Sequence, residues 1–344
     1  MSEMPFSRRG FVKTVGAAAS VAAGGVIATD QASAASNWSA VDVPVSGTLY
    51  GVSNTTRGPH AVGKAGDVIK RNSDGNWEQV IDVGPTARSN SLRTCAVTDD
   101  YKRLWFAGGS GALGYYDVEE GLKFDQSGPN GMTSTWEGIS VAGNQGSETV
   151  YVFNGSGEVT IGTYDSEHCL QWSSPTKPGG GSRVPAVDFR ENETSIGHAV
   201  DTSSQVYETR DNGETWQNVG IPDSQVGLYD TISYLDSEGN PFVYVAADGG
   251  LLYRMNCNCN TWTPIGLGSK KLTGVTHDMN DNVLVCGASS SIYEKPDDEE
   301  WNQVSSPIQA DYYEGIYGRT EYPDGTQSPD VIVGASGKVI ERQA

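Results

Sequence analysis

One pattern recurs along the chain at intervals of about 40–48 residues, and a period of that length belongs to the blades of propeller folds. Each unit begins with a short strand that carries a small residue near its start. Leu49-Tyr50-Gly51-Val52, Trp136-Glu137-Gly138-Ile139, Leu272-Thr273-Gly274-Val275 and Tyr313-Glu314-Gly315-Ile316 are examples, with Tyr229-Asp230-Thr231-Ile232 a looser copy. An apolar hairpin with a small-residue turn follows, as in residues 61–69, 283–292 and 331–340. A polar turn then leads into an aromatic strand, marked in successive units by Trp77, Phe124, Trp172, Trp216, Trp262 and Trp301. Short strands separated by turn residues, repeated in this way, predict four-stranded antiparallel blades.

The units number seven, but the last, after Tyr312, reaches Ala344 without an aromatic strand. Asn37-Trp38-Ser39-Ala40-Val41 supplies the missing piece from the other end of the chain. Trp38 and Trp77 stand 39 residues apart, as do Trp262 and Trp301, so this segment is in register with the series. The expected fold is therefore all-β: one seven-bladed β-propeller over residues 35–344, with 35–45 closing the last blade. Closure of this kind removes exposed sheet edges. The 43 glycines, 16 tyrosines and 8 tryptophans agree with it and argue against a helix bundle or an α/β nucleotide-binding fold.

Residues 1–34 read as an export signal. Arg8 and Arg9 lie in Ser7-Arg8-Arg9-Gly10-Phe11-Val12-Lys13, which resembles a twin-arginine motif, and Ala32-Ser33-Ala34 offers small residues for cleavage. The apolar stretch between them is about fifteen residues, short of the roughly twenty needed to span a bilayer. A protein released outside the cell or at its surface, not integral to the membrane after processing and monomeric, is expected. The formal charge of −20 disfavours nucleic acid and anionic lipid as partners. Acidic loops of this kind resemble the surfaces of proteins from high-salt settings. Cys95 and Cys286 fall in apolar strand runs and are expected to be buried thiols, whereas Cys257-Asn258-Cys259 allows a metal pair or a strained disulfide.

Thr209-Arg210-Asp211-Asn212-Gly213-Glu214-Thr215-Trp216 resembles the Asp-box, or BNR repeat, at Thr209, Asp211, Gly213, Thr215 and Trp216. Residues 72–77 form a degenerate copy. The chain as a whole is similar to BNR/Asp-box propellers, most closely the photosystem II assembly-factor-like group of secreted seven-bladed domains with WD40/YVTN-like blades. Sialidases share the box more distantly. The resemblance implies a structural role for these five residues, with the Trp packing between blades, and no catalytic one.

Aligning the inner strands on their small residue places Glu137, Asp230 and Glu314 in alternate blades at one level of the channel mouth. Trp136, Tyr229, Tyr313 and Arg93 accompany them. Carboxylates beside aromatic faces suit sugars, cationic groups or a divalent cation held by oxygens. No other cofactor is expected, because Gly-rich stretches here lack a P-loop Lys and no serine sits on a nucleophile elbow. Two functions follow: a non-enzymatic scaffold that binds an envelope protein or glycan, or a secreted glycoside hydrolase using the mouth carboxylates with Arg93 and Arg183. His60 and His198 occupy equivalent repeat positions and are expected to be structural. Asn37, Asn54, Asn154 and Asn192 head Asn-x-Ser/Thr sequons, a permissive signal for glycosylation.

Overall fold

The computed structural model describes residues 37–343 except 192, 257–259, 298 and 320–326. Arg8, Arg9 and the Cys257/Cys259 pair lie outside the described residues. Seven four-stranded antiparallel sheets follow one another in chain order, and six of them are built from consecutive strands. We label the strands of each blade A, innermost, to D, outermost. The A strands are Leu49–Thr55, Leu92–Val97, Trp136–Ala142, Ala186–Phe189, Leu228–Leu235, Leu272–His277 and Tyr312–Ile316. The seventh blade takes its D strand, Ser39–Val41, from the start of the domain, where it pairs with Val339–Arg342. The expected seven-bladed ring and its mode of closure are both present. Among the described residues no helix is long and apolar enough to cross a membrane.

Alternation along each strand sends apolar side chains from both faces of a blade into the layers between blades. Seven clusters result, each drawn from neighbouring sheets. Tryptophans at or next to the D strands pack against six of these layers, whereas Phe124, the aromatic of blade 2, is 37% exposed. Trp216 meets Phe153 of blade 3 and Phe189 of blade 4 edge-on, at 5.5 and 6.1 Å between ring centres. Its turn is held by Asp211, whose carboxylate accepts from the Thr215 N–H at 2.8 Å, and by Thr209 Oγ1, which accepts from the Gly213 N–H at 2.9 Å. Gly213 has φ of +81°, and a Cβ there would stand 2.9 Å from Tyr151, so glycine is required at this position.

Both repeat-equivalent histidines are fully buried. His60 Nδ1 contacts the Gly58 carbonyl at 2.9 Å, and burial holds its pKa down at about 4, so the ring is neutral. Cys286 is buried as expected. Cys95 departs from expectation: it is only half-buried, with its thiol 3.6 Å from Ser53 Oγ on the wall of the central channel.

Candidate functional site

Six of the seven A strands carry a β-bulge near their start, at Tyr50, Arg93, Glu137, Tyr229, Thr273 and Tyr313. A bulge inserts one unpaired residue and re-aims its side chain. The residue before each bulge is Leu49, Leu92, Trp136, Leu228, Leu272 or Tyr312, and all six are essentially fully buried. Every bulge residue lines a central cavity of about 550 Å³, forming one rim of it. The residue after each bulge returns to the ladder one level deeper. At that level stand Gly51, Thr94, Gly138, Asp230, Gly274 and Glu314.

This geometry corrects two expectations. Trp136 is not at the mouth: it occupies the same position as Leu49 and Leu272 and is 0% exposed, packed among Trp105, Leu113, Ile139 and Val152. The three carboxylates do not share a level either. Glu137 is a bulge residue on the rim, whereas Asp230 and Glu314 lie below it. Alignment on the small residue slips by one position in the second, fifth and seventh blades, where the small residue follows Thr94, Asp230 or Glu314 instead of replacing it. Among the described residues no three His, Cys, Asp or Glu side chains gather closely enough to hold a metal ion.

The rim joins charges of both signs to aromatic rings. Arg183 Nε stands 3.1 Å from Glu137 Oε2, and Arg93 Nε is 4.0 Å from Glu137 Oε1. Neither Arg183 Nε nor Glu137 Oε2 completes a hydrogen bond, so the closer approach is a contact of charges with poor angle. Both arginine side chains remain 42% exposed. Lys271 lies over the Tyr229 ring at 4.4 Å, and the Tyr229 hydroxyl donates to Asp248 at 2.8 Å. Tyr50 and Tyr313 meet edge-on at 5.2 Å. Of the residues expected at the mouth, Glu137, Arg93, Tyr229 and Tyr313 are therefore brought together. Arg183, Lys271 and Tyr50 complete the rim.

The wall below is acidic. Asp188 accepts from the Ser233 N–H and Asp230 from the Val275 N–H, each at 2.7 Å and each across to the next blade. Glu314 accepts from its own neighbour, the Gly315 N–H. All three line the channel, and desolvation dominates their ionisation. Burial, with Asp230 and Glu191 nearby, pushes Asp188 up to about 8. Burial raises Asp230 to about 7, and burial together with Asp230 and Asp188 lifts Glu314 well above the carboxylate range. Asp188 was not anticipated; its place in Val187-Asp188-Phe189, a charge inside an apolar inner strand, was the available signal.

Raised carboxyl pKa values give a signed prediction. The folded state holds protons that the unfolded chain releases near pH 4, so their stabilisation is full below that pH and is lost as pH rises through about 7–8. Asp188→Asn and Glu314→Gln keep an acceptor oxygen without the ionisation. Each should exceed the wild type in stability at pH 8, by about 1–3 kcal/mol, with the advantage shrinking toward pH 4. Melting curves of variant and wild type across that range test this; a pH-independent difference would refute it.

One further grouping has catalytic outlines. Ser233 Oγ is 2.9 Å from His198 Nδ1, and His198 Nε2 is 3.2 Å from Glu208 Oε2. Ser233 is only 2% exposed and its hydroxyl also accepts from Arg190 Nε at 3.3 Å. A serine so enclosed meets no substrate. The trio ties blades 4 and 5 together, which accounts for His198 as a repeat-structural residue.

No protein-family model matches the chain, and no curated protein matches it. Solved structures do. A structure described as YCF48 bound to D1 peptide is similar over 90% of this chain and 97% of its own, with TM-score 0.66 and 14% identity. YCF48 from Cyanidioschyzon merolae aligns over 89% of this chain and 98% of its own, with TM-score 0.66 and 13% identity. The WD40 propeller domain of Doa1 gives TM-score 0.65 at 10% identity, over 89% and 96%. At these identities the likeness is one of fold.

Proposed function

We propose that this chain is an exported, non-enzymatic binding scaffold that takes an extended, acidic protein segment across the rim of its central channel. The observation that carries the reading is the placement of cations. On a chain of net charge −20, Arg93, Arg183 and Lys271 converge on one rim beside Tyr50, Tyr229 and Tyr313. Partly exposed guanidinium groups with incomplete hydrogen bonding offer donors to carboxylates, and the rings offer faces to side chains between them. Glu137 stands within 4.0 Å of both arginines. The solved YCF48 structure with a bound peptide supports a peptide-binding use of this fold. Release outside the cell at high salt belongs to the same proposal, motivated by Arg8, Arg9 and the acidic surface.

Panning a display library of random dodecapeptides on the folded protein tests the reading. Acidic segments should be selected, and Arg93→Ala with Arg183→Ala should weaken the best of them at least tenfold, with melting temperature held within about 2 °C. Selected peptides that bind the double variant as tightly as the wild type would move the site elsewhere. Turnover of chromogenic glycosides at high salt, abolished by Glu137→Gln, would instead establish an enzyme.

A further inference from the structure

Strand geometry separates the three described sequons by what their carboxamides can do. An N-glycan acceptor needs its amide nitrogen free to attack, with the hydroxyl two residues on also within reach of the transferase. Asn154 is fully buried at the end of Thr149–Asn154, strand B of blade 3. Its Nδ2 donates to Glu158 Oε2 at 2.8 Å, and its Oδ1 accepts from the Ser156 and Glu158 N–H groups at 2.9 and 3.0 Å. Asn54, in strand A of blade 1, donates from Nδ2 to the Tyr317 carbonyl at 2.7 Å and accepts from Ser328 Oγ at 3.2 Å. Both amides hold the fold together. Asn192 lies outside the described residues.

Asn37 differs on every count. It is exposed, two residues before the D strand that closes blade 7, and among the described residues its side chain makes no hydrogen bond. Asn37 and Ser39 both face solvent, while Trp38 between them is turned inward and is 3% exposed. The two recognised groups of the sequon thus share one outward face and its bulky middle residue is hidden. The strand is also the outer edge of its sheet, so its free side is open to an approaching enzyme.

We propose that Asn37 is an N-glycan acceptor site of the folded protein, taking an oligosaccharide from a lipid-linked donor. Asn37 Nδ2 forms a bond to the anomeric carbon of the first sugar as the bond from that carbon to the lipid phosphate breaks. The amide proton leaves with the released lipid phosphate, and no redox change occurs. The site lies on the outer D strand, whereas the rim residues belong to the innermost strands, so occupancy leaves the proposed binding site open.

The folded full chain, incubated with an oligosaccharyltransferase and a lipid-pyrophosphate oligosaccharide, should carry the sugar on the Asn37 peptide by mass spectrometry, with Asn54 and Asn154 unmodified. Asn37→Gln and Ser39→Ala should each remove that mass. The urea-unfolded chain, treated after dilution, should gain sugar at Asn54 and Asn154 as well. A folded chain modified at Asn54 or Asn154, or left bare at Asn37 by an enzyme that modifies a control peptide, overturns the proposal. Peptide binding at the rim is measured separately and is indifferent to this result.

Discussion

Deletion of residues 37–45 should lower the melting temperature of the domain by roughly 10 °C or more and promote self-association. The segment contributes the fourth strand of blade 7, in register Ser39 to Glu341, Ala40 to Ile340 and Val41 to Val339. It also delivers Trp38 into a pocket formed by Leu284, Ile292, Val304, Tyr312, Ile332 and Ile340. Removing a buried Trp costs about 3–5 kcal/mol by itself, and for a domain of this size each kcal/mol moves the midpoint by roughly 2–4 °C. Without the segment, Val339–Arg342 becomes an open edge beside the junction of the chain's two ends, and an open edge recruits other strands. Calorimetry and size-exclusion chromatography of the shortened chain against one beginning at residue 35 provide the measurement. Equal melting and an unchanged elution volume would show that the ring holds without its closing strand.

The ring was legible because a propeller writes its period into the sequence many times over. A turn or an aromatic lost from one unit is recovered from its neighbours. Even the closing strand could be read, since Trp38 kept the spacing of the series. The rim was less legible for an equally physical reason. A bulge adds a residue to one strand without changing its composition, so alignment on Gly51, Gly138 and Gly274 slides the strands that have no glycine there. Thr94, Asp230 and Glu314 occupy that level in blades 2, 5 and 7.

The steadier feature is the large buried residue two positions earlier in six of the blades: Leu49, Leu92, Trp136, Leu228, Leu272 and Tyr312. Had the alignment been anchored there, Trp136 would have joined the core and Glu137 would have joined Arg93 and Tyr229 on the rim. Packing between blades fixes that residue, while the channel leaves its own lining free to vary. Asp188 escaped notice for a related reason. Its strand begins at Ala186, after Pro185 and without a bulge, so the fourth blade offers no matching signature.

Between blades the sequence also hid a repeated clasp, and breaking it should have the second large effect. Glu341, on strand C of blade 7, accepts from Trp77 Nε1 and from Arg71 Nε of blade 1, each at 2.8 Å. One blade earlier, Glu294 accepts from Trp38 Nε1 at 3.2 Å and from Arg342 at 2.6 Å. A carboxylate on one blade thus takes the indole and guanidinium of the next, on both sides of the blade that closes the ring. Glu341→Ala leaves the largely buried Arg71 charge without its partner, a situation that costs about 3–5 kcal/mol. The matched pair Glu341→Leu with Arg71→Met removes both charges and should recover a large part of that loss. Little change with salt is expected, because a buried pair is poorly screened. Denaturant melts of the single and double variants at low and high salt decide the matter. If Glu341→Ala costs less than about 1 kcal/mol, the level of a surface pair, the clasp is not what holds the seam, and the apolar layer among Leu49, Trp77, Val331 and Val339 must carry it alone.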